Sequence, residues 1–126
     1  MRAKSIEATL PASDFGRAKT WYAERLGLTP VEEDPGGASY RVGATRFLLY
    51  PSQFAGTNMA TSAGFAVDDV EETVAELRQR GVTFEEYDFP GLKTVNGIAT
   101  LETGRGITKA AWFKDSEGNI LSVASG

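Results

Sequence analysis

The chain has 126 residues, thirteen of them basic and seventeen acidic, for a formal charge of −4; this suits a single domain with its own core and excludes a nucleic-acid surface, since no Lys/Arg run overrides the average. It contains no cysteine and no histidine, which removes thiolate nucleophiles, disulfides, histidine bases and the usual ligands of zinc or non-haem iron. No apolar stretch is long enough for a membrane span, and Met1-Arg2-Ala3-Lys4 leads into the first strand with no signal-peptide core, so cytoplasmic residence is the default expectation.

Ser5-Ile6-Glu7-Ala8-Thr9-Leu10 alternates as a half-buried strand, with Ile6, Ala8 and Leu10 on one face and Glu7 and Thr9 on the other. If the second face lines a cleft, Glu7 is the first candidate for chemistry in the chain. Asp14 then caps a helix whose stripe is Phe15, Ala18, Tyr22 and Leu26, with Gly27 as its stop. Strand-like runs follow at 28–33, 39–42 and 46–50, broken at Asp34-Pro35-Gly36-Gly37 and at Gly43-Ala44.

After a linker near Pro51 to Met59 the pattern repeats. Gly64 to Asp68 leads to a helix capped by Asp69, with Glu72 completing a capping box, a stripe of Val70, Val74 and Leu77, and Gly81 as the stop. Asp14 and Asp69 stand 55 positions apart, and Gly27 and Gly81 stand 54 apart, which marks a duplicated unit. The second half continues with strands at 82–86, 97–101, 108–114 and 120–124, separated by turns rich in Gly, Pro and Asp. Each half reads βαβββ, and neither buries enough alone, so the repeats at about 1–54 and 58–126 are expected to pair as one domain spanning 1–126. The fold class is α+β: two tandem βαβββ modules whose curled mixed sheets surround a cleft. The segment from Tyr87 to Asn96 reads as irregular, either a lid or a dimer contact.

At this point the chain resembles the vicinal-oxygen-chelate superfamily of glyoxalases, bleomycin resistance proteins and dioxygenases. The resemblance rests on Ala12-Ser13-Asp14 with Trp21-Tyr22 and Leu26-Gly27-Leu28, on Val67-Asp68-Asp69, and on Phe113-Lys114-Asp115-Ser116-Glu117-Gly118-Asn119, where Ser116 replaces the family's proline. It implies four metal-ligand positions, which fall here on Glu7, Leu48, Ser62 and Ser122. One carboxylate, two hydroxyls and an apolar side chain do not make a transition-metal site, so no metal and no cofactor are expected. The resemblance also implies a homodimer.

Two functions follow as expectations. The first is a metal-free binding protein that sequesters a hydrophobic or aromatic metabolite or antibiotic, with Glu7, Thr9, Leu48, Tyr50, Ser62, Trp112 and Ser122 as ligand contacts. The alternative is a cofactor-independent lyase or isomerase with Glu7 as general base. Tyr40, Phe47, Tyr50 and Trp112 either line the cleft or pack beneath the helices, since alternation gives parity without naming the face.

Overall fold

A computed structural model describes residues 1–125. The first module runs β1 (Ala8–Ala12), α1 (Phe15–Trp21), a π-helical turn (Tyr22–Leu26), β2 (Glu32–Asp34), β3 (Gly37–Val42) and β4 (Thr45–Pro51). The second runs β5 (Thr61–Ala66), α2 (Val70–Gln79), β6 (Asp88–Phe89), β7 (Leu92–Val95), β8 (Ile98–Thr103), β9 (Gly106–Lys114) and β10 (Ile120–Ala124). Both N-cap residues are those read from the sequence, while among the described residues the Glu72 side chain returns no bond to the Asp69 amide, so the capping box is half formed. Asp14 accepts from the amide of Arg17, Asp69 accepts from that of Glu72, and Gly27 ends the first helical run in the left-handed region.

The strands form two sheets, ordered β1-β4-β3-β2 and β5-β10-β9-β8-β7-β6. In each module the strand before the helix lies parallel to the module's last strand, and the remaining neighbours are antiparallel. This is the mixed α+β fold the repeat predicts. One hydrophobic cluster draws on both modules, including Leu10, Tyr40 and Leu49 from the first sheet and Phe113, Leu121 and Val123 from the second. Tyr22, Val74 and Leu77 reach it from the helices. Rings cross the junction, with Phe47 edge-on to Phe65 at 6.2 Å and Trp21 stacked on Phe113 at 6.3 Å. Burying side chains of this size contributes about 1.5–3 kcal/mol each.

Four expectations need correction. The first strand begins at Ala8, not Ser5, so Glu7 lies outside it and is exposed, and Ile6 is 97% exposed. The 82–86 run makes only one bridge, Phe84 to Phe113, and of the 28–33 run only Glu32 and Glu33 enter β2. The 87–96 segment is ordered as the β6–β7 hairpin, pairing Asp88 with Lys93 and Phe89 with Leu92. Pro90-Gly91 closes it with Gly91 at φ +82°, the arrangement a turn with proline first and glycine second requires.

The turn after β9 fastens the modules together. Asp115 Oδ1 accepts from the amides of Glu117 and Asn119, which closes the turn on itself. Its Oδ2 receives the hydroxyl of Tyr22 at 2.6 Å, and Asn119 Nδ2 donates to the carbonyl of Pro11 at 2.8 Å. Glu117, whose side chain is fully buried, accepts from Arg17 Nε, the Asp14 amide and the Ser13 and Ser116 hydroxyls. Burial by itself pushes this carboxyl up; the Arg17 guanidinium and the surrounding donors outweigh it and hold its pKa at about 2. Burial, and then the charge of Asp115, pushes the Tyr22 phenol up.

Candidate functional site

Alternation along β9 and β10 sorts the second sheet into two faces. Ala111, Phe113, Leu121 and Val123 enter the core, which leaves Trp112, Lys114 and Ser122 on the face away from the helices. In register, Trp112 stands opposite Ser122, and Ser122 lies beside Gly64 of β5. The glycine matters here: a Cβ at position 64 would sit 2.7 Å from Ser122 Oγ. One step along, the ladder slips, with Ile120 opposite Thr61 but Leu121 opposite Ala63. Ser62 is the extra residue of this bulge, and its hydroxyl accepts from Asn58 Nδ2 at 3.3 Å.

A hollow of about 440 Å³ opens on this face, within the range of small-molecule sites. Trp112, Lys114 and Ile120 form its floor. Tyr87, Phe89 and Leu92 wall one side, and residues 59–61 approach from the linker. The rings of Tyr87 and Phe89 lie 5.7 Å apart and 25° from parallel, while Tyr87 meets Trp112 edge-on at 5.5 Å. Glu85 and Lys114, the ionic groups of the lining, pair with each other at 3.5 Å. Burial first, and then the charge of Glu85, pushes the Tyr87 phenol up, so it stays a neutral hydrogen-bonding group at ordinary pH.

The residues singled out from the sequence fall into two groups. Ser62, Trp112 and Ser122 lie together on the second sheet, and Trp112 is the one that lines the hollow. Thr9, Leu48 and Tyr50 lie together on the first sheet, where Thr9 is opposite Leu48 and Tyr50 opposite Pro11, on the face away from Leu10 and Leu49. Glu7 belongs to neither group and is exposed, whereas a general base on a cleft face would be partly withdrawn from water. Tyr40 and Phe47, left open by parity, stack at 4.7 Å in the core. Sequence reasoning flagged the segment that holds Tyr87 and Phe89 without naming either as a site residue and missed Glu85, although Phe89-Pro90-Gly91-Leu92 carries a hairpin signal.

The four positions the resemblance gives to metal ligands do not converge as donors. Glu7 is off the strand, Leu48 offers no lone pair, and Ser62 and Ser122 offer neutral hydroxyls. Among the described residues no three or more Asp or Glu gather where an ion would sit. This donor set does not fit a divalent metal. A second groove, of about 540 Å³, lies along β1 and β5 between Leu10, Phe47 and Phe65, and contains none of the site residues singled out. No helix among the described residues is long and apolar enough to cross a membrane.

Residues 6–123 match the family model described as Glyoxalase/Bleomycin resistance protein/Dioxygenase superfamily. No curated protein sequence matches the chain. Among solved structures, a lactoylglutathione lyase from Agrobacterium tumefaciens is similar at a TM-score of 0.68 and 20% identity, covering 100% of this chain and 96% of that one. A glyoxalase/bleomycin resistance protein/dioxygenase from Alicyclobacillus acidocaldarius is similar at 0.71 and 16%, covering 99% and 94%. A bleomycin-binding protein solved with bleomycin bound is similar at 0.70 and 19%, covering 98% and 99%. At these identities the likeness is one of fold.

Proposed function

We propose that this chain, which belongs to the Glyoxalase/Bleomycin resistance protein/Dioxygenase superfamily, binds and sequesters a flat apolar or aromatic small molecule without the help of a metal. The observation that carries this reading is the hollow on the second sheet, where the rings of Trp112, Tyr87 and Phe89 converge on open space. Aromatic walls hold planar ligands through area burial and ring stacking. Glu85 and Lys114 offset each other's charge, which favours a ligand with no net charge. The hydroxyl of Ser122 is beside the floor, opposite Trp112, as a neutral donor or acceptor. The bleomycin held by the similar structure supports organic-molecule capture as a use of this fold.

The metal-independent part follows from the donor set and not from any vacancy. Glu7, Leu48, Ser62 and Ser122 cannot supply the charge and geometry that divalent chelation by two substrate oxygens demands. The homodimer expected from the resemblance stays part of the proposal. It would give the Thr9, Leu48 and Tyr50 face, which lies on the other sheet from Trp112, a way to contribute.

The test is titration with the uncharged fluorophore N-phenyl-1-naphthylamine, alone and after dialysis against a chelator. Saturable binding that survives chelation and is lost in Trp112→Ala is expected. Binding that disappears on chelation and returns with Zn²⁺ or Ni²⁺ would overturn metal independence. Equal binding by wild type and Trp112→Ala would remove the hollow as the site. Sedimentation at micromolar concentration reads the dimer.

A further inference from the structure

The β6–β7 hairpin has no counterpart in the first module, whose sheet ends at β2. It supplies Phe89 to the hollow, and its base supplies Tyr87, yet its ladder to β8 is short, pairing only Thr94 with Ala99 and Val95 with Ile98. Its position is set at its base. Thr94, which is buried, accepts from the Tyr87 amide at 2.8 Å and gives its one hydroxyl proton to Glu86 Oε1 at 2.7 Å. The same Oε1 accepts the amide of Gly97 at 2.7 Å, so one carboxylate oxygen ties both ends of the hairpin together. Behind it, Arg78 of α2 donates to the carbonyl of Asn96, which sits in the left-handed region at φ +52°. Glu86 does not line the hollow, and its neighbours on either side, Glu85 and Tyr87, do. Its hydrogen bonds also hold its carboxyl below the usual range, with that from Thr94 the largest cause.

We infer that Glu86 is a positioning residue for the ligand hollow: by tying Thr94 and Gly97 to one oxygen it fixes the hairpin, and with it the gap between the Tyr87–Phe89 wall and Trp112 that selects the size of ring system admitted. This rests on the proposed binding role of the hollow. Because both donors converge on a single oxygen, the role needs an acceptor and not a charge. A glutamine carbonyl oxygen has the two lone pairs to take both bonds, whereas alanine has none.

Two readouts separate this inference from the binding role itself. In a Trp21→Phe background, Trp112 is the sole tryptophan, and its emission and acrylamide quenching report the hairpin directly. Glu86→Ala is expected to red-shift the emission and raise the quenching, and Glu86→Gln to restore both. In titrations with N-phenyl-1-naphthylamine, whose widest fused unit is a naphthalene, and with pyrene, a single rigid four-ring plate, Glu86→Ala is expected to weaken N-phenyl-1-naphthylamine roughly tenfold, as for one lost hydrogen bond. It should also flatten the preference between the two probes. Glu86→Gln should stay within about twofold of wild type. Thr94→Val, which removes the shared hydroxyl, should behave as Glu86→Ala does. Unchanged Trp112 emission and probe preference in Glu86→Ala would overturn the inference, as would a glutamine variant no better than alanine. If Trp112→Ala abolishes binding while Glu86→Ala binds as wild type, the hollow stands and the positioning role falls. If wild type binds neither probe, the binding role falls and Trp112 emission alone decides the positioning role.

Discussion

Arg25 and Arg80 stand 55 positions apart, the spacing of the two helix caps, and each reaches across to the other's helical C-terminus. Arg25 Nη1 donates to the carbonyl of Arg80 at 2.6 Å, and Arg80 Nη1 donates to the carbonyl of Glu24 at 3.3 Å. Helix ends leave carbonyls without partners and carry partial negative charge, so a guanidinium at each end satisfies both needs. The duplicated sequence has become a reciprocal contact between the modules. Gly81 makes room for it, since a Cβ there would lie 2.1 Å from Arg25 Nη1.

Gly81→Ala is therefore expected to destabilise by about 1–3 kcal/mol, partly through its φ of +91° and partly by displacing Arg25. In an Arg25→Ala background the second part is already gone, and the cost should fall. Urea unfolding of the four proteins in this cycle measures the coupling. Equal costs in both backgrounds would mean that Arg25 moves aside freely.

Glu117 gives the chain an acid-labile joint. Its folded pKa of about 2 lies below the ordinary 4.5, so its contribution is complete above the unfolded value and is lost as pH falls from about 4.5 towards 2. Glu117→Gln is expected to cost about 1–3 kcal/mol at pH 7, since Arg17 and the Asp14 amide lose a charged acceptor. The variant should also show a shallower loss of stability across that window. Denaturant midpoints taken through the acid range check both points, and parallel pH profiles would contradict the assignment.

Tyr22 and Tyr40 both bury a phenol in the core, with opposite consequences. Tyr22 donates to Asp115, whereas the hydroxyl of Tyr40 is buried with no partner among the described residues, its pKa pushed up to about 12 by burial and then by Glu33. Tyr22→Phe should cost about 1–3 kcal/mol, and Tyr40→Phe should be neutral within about 0.5 kcal/mol or slightly stabilising. Thermal denaturation of the two variants side by side distinguishes them.

What the sequence disclosed depended on whether a signal was local. Caps at Asp14 and Asp69, stops at Gly27 and Gly81, and the long strands β8 to β10 follow from neighbouring residues, and they stand as read. The alternation at Ser5-Ile6-Glu7 is equally clear, yet a strand needs a partner. The ladder to β4 ends at Ala8 opposite Phe47, close to the Gly43-Ala44 turn, so the residues before it have little to pair with. Phe84 likewise makes a single bridge, to Phe113, in the half of β9 that β8 leaves open. The second-sheet part of the site was half legible. Alternation gave parity along each strand, but setting Trp112 opposite Ser122 took the register of β9 and β10, and placing Tyr87 and Phe89 over them took the fold-back of the hairpin, both tertiary events.

The turn at Asp115–Asn119 has an unequal twin. The corresponding link in the first module is the short Gly43-Ala44 turn, and where it would meet the approach to α2 there is the groove lined by Leu10, Phe47, Phe65 and Ala66. One end of the joint between the modules is buckled by ionic and hydrogen bonds, and the other is ajar. The two sheets are therefore tied at Glu117 by charge and hydrogen bonds, and where β1 approaches β5 by apolar contact alone.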